Sequence, residues 1–507
     1  MELLYNPFFQ SLILLVCLLI WLKPAKGKKL NLPPSPPKLP IIGNIHQLGK
    51  LPHCSLRDLS RKYGSLLLLQ LGYNPTLVVS SAEMVREIVK NHDVVFSNRP
   101  RTTAANIILK GCRDVGFAPY GEYWRQLRKI FVLELLSNRR VHSFQYARDD
   151  EVESLINKIS RASVKGESIN LTDILVNVSH NVVSRCVLSG RSEEGEDSHS
   201  KFGELARRVM VLFMSFCVGD MFPYLRWLDV LTGYVPSLKA ASGDLDKFFD
   251  LIIKEHRALK NHDEVTNKKD FISIILQLQK DGMLEMDLSQ DDIQAVILVS
   301  QLSFDMFLGG TDTTATTLEW MMAELLKHPN IMEKVQEEIR NVVGKKPKVD
   351  VDDIGKMEYL KCVIKETFRL HPPVPLLLPR ETSANLKLGG YDVPSDVTVF
   401  INVWAIQRDP KWWEKPEEFI PERFENSSVD YKGQDFQFIP FGFGRRGCPG
   451  LLFGVASVEY VIANLLYLFD WKLPDGEIGK NLDMTELYGL TVNKKFPLHV
   501  LPISHVM

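Results

Sequence analysis

From Ser289 to Pro329 the chain reads SQDDIQAVILVSQLSFDMFLGGTDTTATTLEWMMAELLKHP, a single helical period with no internal proline. Ser289 and Asp292 form a capping box at its start, and Pro329 stops it. At ~1.5 Å per residue such a helix is roughly 58 Å long. An element of that length must cross a large body through its core. Gln301, Asp305 and Asp312 interrupt it too often for a membrane span. The expectation is a mainly α fold with small β-sheets. Other segments agree: Ser81 caps a helix in LVVSSAEMVREIVKNH, while SLLLLQLGYNPTLVVSS is two short apolar runs around a turn, a hairpin signal.

The middle of the long helix departs from helical preference. GGTDTT places Gly309, Gly310, Asp312 and Thr313 in what must be core, and each glycine costs ~1 kcal/mol against alanine. Missing side chains at Gly309 and Gly310 would let a flat ligand approach the backbone. Threonine hydroxyls can take over an i−4 carbonyl, and Asp312 beside Thr313 supplies an acid and an alcohol for proton relay. A packing kink with satisfied hydroxyls explains the same residues. Further on, KETFR places Glu366 and Arg369 three apart on one helix face, and PERF offers Arg423 as a second partner for Glu366.

FIPFGFGRRGCPG surrounds Cys448 with Gly442, Gly444, Gly447 and Gly450 and with Arg445 and Arg446. Pro449 follows, placed to open the strongly apolar helix GLLFGVASVEYVIANLLYLF. Cys448 would then sit at a helix N-terminus, where free N–H groups favour a thiolate. Nucleophile, structural ligand, redox sensor and axial haem ligand are all open to such a sulfur. A nucleophile wants a histidine base; no histidine lies in this stretch, although a distant one could fold in.

Composition removes other classes. Sixty-one Lys and Arg against 62 Asp and Glu leave a net charge of −1, which argues against nucleic acid as the main partner. Seven widely spaced cysteines without a C-x-x-C pair fit neither a zinc ribbon nor a disulfide framework. At the N-terminus an apolar run from Phe8 to Leu22 is preceded by Glu2 and followed by Lys23, Lys26, Lys28 and Lys29. That charge order predicts an uncleaved single-pass anchor with the body in the cytosol. The proline-rich LPPSPPKLP after it is a stiff spacer. The organisation expected is an anchor over residues 1–23, a basic and proline-rich hinge over 24–40, and a catalytic domain over 41–507.

FGFGRRGCPG matches the F-x-x-G-x-R-x-C-x-G loop of the cytochrome P-450 haem-thiolate monooxygenases at every fixed position. GGTDTT resembles the family's oxygen-activating helix motif, KETFR its E-x-x-R pair, PERF the arginine completing that triad, and WRQLR its haem-propionate helix. The anchor, the hinge and RDPKWWEKPEEFIPERF look most like the plant A-type microsomal members, close to the seventy-one family. The resemblance implies haem b with Cys448 as the iron ligand and Phe441 packed beside the sulfur. It implies Trp124, Arg128, Arg380 and Arg446 on the propionates, Gly309 and Gly310 against the macrocycle, and Thr313 with Asp312 delivering protons. Glu366, Arg369 and Arg423 would be structural. Ile107, Ile108, Phe304, Leu308, Val374, Leu376, Leu377 and Leu490 would line the substrate pocket.

The function implied is insertion of one oxygen atom from O2 into a small lipophilic substrate, of the kind plants make in specialised metabolism. NADPH-cytochrome P-450 reductase would supply electrons, with cytochrome b5 as a further donor, because the chain has no flavin or nicotinamide fingerprint of its own. Arg125, Lys129, Arg139, Arg140 and Arg445 would form the docking face. Location would be the endoplasmic reticulum membrane, with a second contact through Phe222, Tyr224, Leu225, Trp227 and Leu228 in the segment Asp220–Tyr234. An oxygen-independent isomerase or dehydratase on the same fold, and a non-catalytic membrane haem protein, are the alternatives.

Overall fold

The computed structural model describes residues 30–188, 205, 208–213, 215–259, 270–281 and 302–505. The anchor segment, the capping box at Ser289 and the loop Ser189–Lys201 lie outside these. Helices dominate, and four small sheets sit at the edges. The largest sheet orders Leu66–Leu71, Asn74–Val79, Thr398–Ile401 and Arg380–Glu381 side by side. Its first pair is the hairpin read from the sequence, antiparallel with Leu66 opposite Val79 and Leu71 opposite Asn74. Gly72 turns the hairpin at φ +60°, and a Cβ there would stand 2.5 Å from the Met221 carbonyl oxygen, so only glycine fits. Ser81 caps the next helix by accepting the Met84 N–H at 3.3 Å.

The long helical pattern is bent once within its described part. Residues 302–310 are helical, the chain bends at Thr311, which keeps right-handed backbone angles and its bonds to Phe307 and Ala315, and a second helix runs Asp312–Lys327. The period continues through the bend, which is why the sequence reads as one element. The Thr313 hydroxyl donates to the Gly309 carbonyl at 2.5 Å, and Thr317 to that of Thr313 at 2.9 Å, the i−4 bonding expected of threonines here. Pro329 both ends this element and opens the next helix, Pro329–Val343.

Asp312–Lys327, Glu358–Leu370 and Leu451–Leu468 pack together with Leu171–Leu188 as the centre of the main hydrophobic core. Leu451–Leu468 is long and apolar enough to cross a membrane, but two-thirds of it is buried in protein, so it serves as core. It begins at Leu451 with Gly450 as its cap, two residues later than Pro449 suggested. The described cysteines are all unpaired.

Candidate active site

A cavity with about 1600 Å³ of empty volume, counted out to its open mouth, lies between residues 302–310 with the first turns of Asp312–Lys327 on one side and the Cys448 loop on the other. Cys448 opens into this space and is otherwise enclosed by protein. Gly442 and Gly444 have φ of +75° and +61°, and these reversals bring the Cys448 N–H to 2.8 Å from the Phe441 carbonyl. Burial pushes the thiol pKa up, with the Gly450 N–H and the Arg128 charge opposing. The helix start alone does not outweigh burial, and a cation bound at the sulfur would favour the thiolate. Phe441 lines the cavity beside it and packs edge-on against Phe368, centroids 5.0 Å apart.

Arg99, Arg128, Arg380 and Arg446 all face the same space. Arg380 donates to the carbonyls of Phe443 at 2.8 Å and Phe96 at 3.3 Å. Arg446 donates to Ser97 at 2.7 Å, to Val115 at 3.2 Å and to Ala118, with its guanidinium 4.2 Å over the Trp124 ring. Arg99 donates to Gly116, Leu378 and Pro379 at 2.7–2.9 Å. Carbonyls orient these groups and leave donors over on each, but they bring no countercharge. No carboxylate among the described residues forms an ion pair with any of the four. Burial lowers the Arg446 pKa to about 9, helped by the neighbouring Arg380, and burial takes Arg380 to about 10. Such a rim fits a planar dianion.

Trp124, expected on the propionates, lines the cavity but commits its ring N–H to the Val115 carbonyl at 3.0 Å. Arg99 carries no motif and went unread in the sequence. Gly309 has nothing within 4 Å of a built Cβ, as a flat ligand requires, whereas a Cβ on Gly310 would meet Val183 at 2.9 Å. Gly310 is therefore a close-packing residue as well as a lining one.

Leu308, Val374, Leu377 and Leu490 line the cavity as expected. Leu377 does so from a left-handed backbone, φ +51°, at the turn closed by its N–H to the Val374 carbonyl. Ile107, Ile108, Phe304 and Leu376 are not in the lining. Ile108 and Phe304 belong to the main core, and Ile107 packs against it. Leu376 sits under the hairpin with Leu67, Leu69 and Val78. Thr313 faces the cavity, but Asp312, one position and about 100° earlier on the helix, does not. Burial raises the Asp312 pKa, partly offset by its bond to Thr491.

Two further carboxyls were missed. Asp305 lines the cavity and accepts the Val115 N–H at 2.8 Å, and it neighbours the buried Asp114, which accepts the Phe117 N–H at 2.8 Å. Burial, then each other's proximity for Asp305, raises both. The Val115 N–H bond ties the loop Asp114–Phe117 to residues 302–310, and the raised values favour a proton held by the pair.

Glu366, fully buried, accepts Arg369 at 2.7 and 2.9 Å, Arg423 at 3.0 Å and the Ile420 N–H at 2.8 Å. Arg369 continues to the carbonyls of Gln407, Pro416 and Glu418. The triad stands where the sequence placed it.

Residues 33–499 match the family model described as Cytochrome P450. The chain belongs to the cytochrome P450 family. The phenylacetaldehyde oxime monooxygenase of Prunus mume is 52% identical over 95% of this chain and 90% of its own length. Cytochrome P450 71A1 of Persea americana is 52% identical over 92% of each chain. Desmethylyatein synthase of Sinopodophyllum hexandrum is 47% identical over 98% of this chain and 99% of the relative. Among solved structures, a zebra fish cytochrome P450 with progesterone aligns with a TM-score of 0.75 at 26% identity, over 89% of this chain and 99% of that one. Cytochromes P450 bind haem b, and this cavity has the parts: a sulfur at one wall, a guanidinium rim and apolar faces.

Proposed function

We infer that the protein is a haem-thiolate monooxygenase acting on a small lipophilic substrate of plant specialised metabolism. The observation that carries this is one cavity lined by Cys448, by Thr313 and Thr314 of GGTDTT and by four guanidiniums. Haem held by a thiolate supplies the activation of dioxygen that lets one oxygen atom enter a carbon–hydrogen bond. Cys448 ligates the iron, and Arg99, Arg128, Arg380 and Arg446 hold the propionates by charge and hydrogen bonds. Trp124 keeps the Val115 carbonyl, and so Arg446, in place. Thr313 lines the cavity, its hydroxyl proton resting on the Gly309 carbonyl until a ligand draws it inward, and Asp312 behind it is the acid that would replenish that proton. Leu308, Val374, Leu377 and Leu490 exclude water and hold an apolar substrate.

Electrons come from an NADPH-dependent reductase, with Arg125, Lys129, Arg139 and Arg445 exposed for docking. Arg125 already pairs with Glu122 and Arg445 with Asp93, so part of that charge is met internally. The protein resides on the endoplasmic reticulum membrane. Tyr224, Leu225, Trp227 and Leu231 are exposed at 40–80%, and the hairpin tip joins them through Tyr73, whose ring lies 5.6 Å from Tyr224. Ile41, 74% exposed, follows the proline-rich spacer on the segment that bonds Gly72. Such a patch suits a bilayer interface. Cys448→Ser tests the central reading: it should abolish the thiolate-type carbon-monoxide difference spectrum and all turnover. Retention of both would overturn it.

A further inference from the structure

Asp312 has one side-chain partner among the described residues, and it lies 179 positions away. The Thr491 hydroxyl donates to Asp312 Oδ2. Thr491 is itself 2% exposed and receives the Asn493 side-chain N–H at 3.3 Å. Asn493 Oδ1 in turn accepts the hydroxyl of Thr316, four residues along the helix from Asp312. Each bond fixes the direction of the next. With its oxygen facing Thr316, Asn493 can turn only its NH2 toward Thr491. Thr491 then has an occupied lone pair on one side and its single proton aimed at Asp312 Oδ2. With that bond in place, the proton of a neutral Asp312 is favoured on Oδ1, the oxygen Thr491 does not touch.

The same short segment is rigidly held. The Val492 N–H bonds the Pro373 carbonyl at 2.9 Å, and the Val492 carbonyl accepts the ring N–H of Trp320 at 2.8 Å. Leu490, next to Thr491, forms part of the cavity wall with Pro373. The anchor of the acid and the wall facing substrate are thus one stretch of chain.

We propose that Thr491, oriented by Asn493, is a positioning residue for Asp312 that decides which carboxyl oxygen holds the transferable proton. This rests on the role given to Asp312 above. Burial without a cation keeps Asp312 protonated further up the pH scale than an exposed aspartate, so a defined proton site has something to hold. Losing the Thr491 hydroxyl would free the carboxyl to rotate and to place its proton on either oxygen.

The test uses the holoprotein and needs no knowledge of the substrate. Infrared spectra of the resting protein locate the Asp312 carboxyl band as the one missing in Asp312→Asn. In parallel, dithionite-reduced protein is mixed with air, and the rate of reoxidation and of peroxide release is followed from acid to alkaline pH. Thr491→Val should shift the band and displace the pH profile of peroxide release, with a several-fold change in rate at neutral pH. Thr491→Ser should restore both, while thermal unfolding and the carbon-monoxide spectrum stay close to those of the unaltered protein in both variants. An unmoved band in Thr491→Val overturns the positioning. A moved band, together with unaltered peroxide release in Asp312→Asn, overturns instead the proton-donating role of Asp312.

Discussion

Removing the carboxylate at Glu366 should cost more than any other single change in the triad. Glu366→Ala deletes four hydrogen bonds at once: two from Arg369, one from Arg423 and one from the Ile420 N–H. It leaves the fully buried Arg369 guanidinium without countercharge, still held by three carbonyls and so unable to leave for water. Breaking a buried pair from one side costs about 3–5 kcal/mol. Against a total stability of about 5–15 kcal/mol this is a fifth or more. At about 2.1 cal/mol/K of unfolding entropy per residue, a body of this length has a melting entropy near 1 kcal/mol/K, so Tm should fall by about 3–5 °C. Denaturant unfolding of the holoprotein is the sharper assay, read alongside the yield of carbon-monoxide-reactive protein. Glu366→Gln keeps an acceptor but no charge and should fall between the alanine variant and the parent. A midpoint for Glu366→Ala equivalent to less than about 1 kcal/mol would refute the reasoning, since that is the range of surface pairs.

Thr313→Ala should leave haem and substrate binding intact but raise peroxide formed per NADPH consumed, because the hydroxyl facing the cavity is gone; an unchanged ratio counts against its role. Deleting residues 1–23 should weaken membrane association without abolishing it, and further changing Leu225 and Trp227 to Ser should release the protein in flotation assays; full solubility after truncation alone would show that the exposed patch touches no lipid. The Asp114–Asp305 pair has raised pKa values in the folded state, with Arg99, Arg446 and Tyr123 as the charged or titratable neighbours. Its stabilisation is therefore full below about pH 4, the unfolded carboxyl value, and is lost as pH climbs through the folded values. Asp305→Asn should flatten that decline in unfolding free energy measured across pH, and an equally steep decline would exclude the shared proton.

What was legible in the sequence is what lies close together along it. The Cys448 loop and the Glu366–Arg369 spacing carry their chemistry within a few residues, so local reasoning reaches them. Arg423 is 57 positions from Glu366; PERF offered it as an available partner, and the family pattern made it part of a triad. Arg99, the Asp114–Asp305 pair and the Thr491 contact join segments 179–280 residues apart with no motif to flag them. Apolar residues failed for another reason: Ile108, Phe304 and Leu376 have the same character as Leu377 and Leu490, and only packing decides which face a core and which a cavity. The bend at Thr311 was invisible because it leaves both the apolar period and the right-handed backbone angles in place.

The ring of guanidiniums has a bearing on how the chain matures. Four like charges turned toward one enclosed space repel each other, and the carbonyls that steer them cannot cancel that repulsion. A doubly negative group entering this space offsets that repulsion, so free energy of cofactor capture adds to free energy of folding. Haem would then hold the body together as well as equip it. The cell's supply of it would govern how much of this chain escapes degradation, quite apart from how fast the finished enzyme turns over.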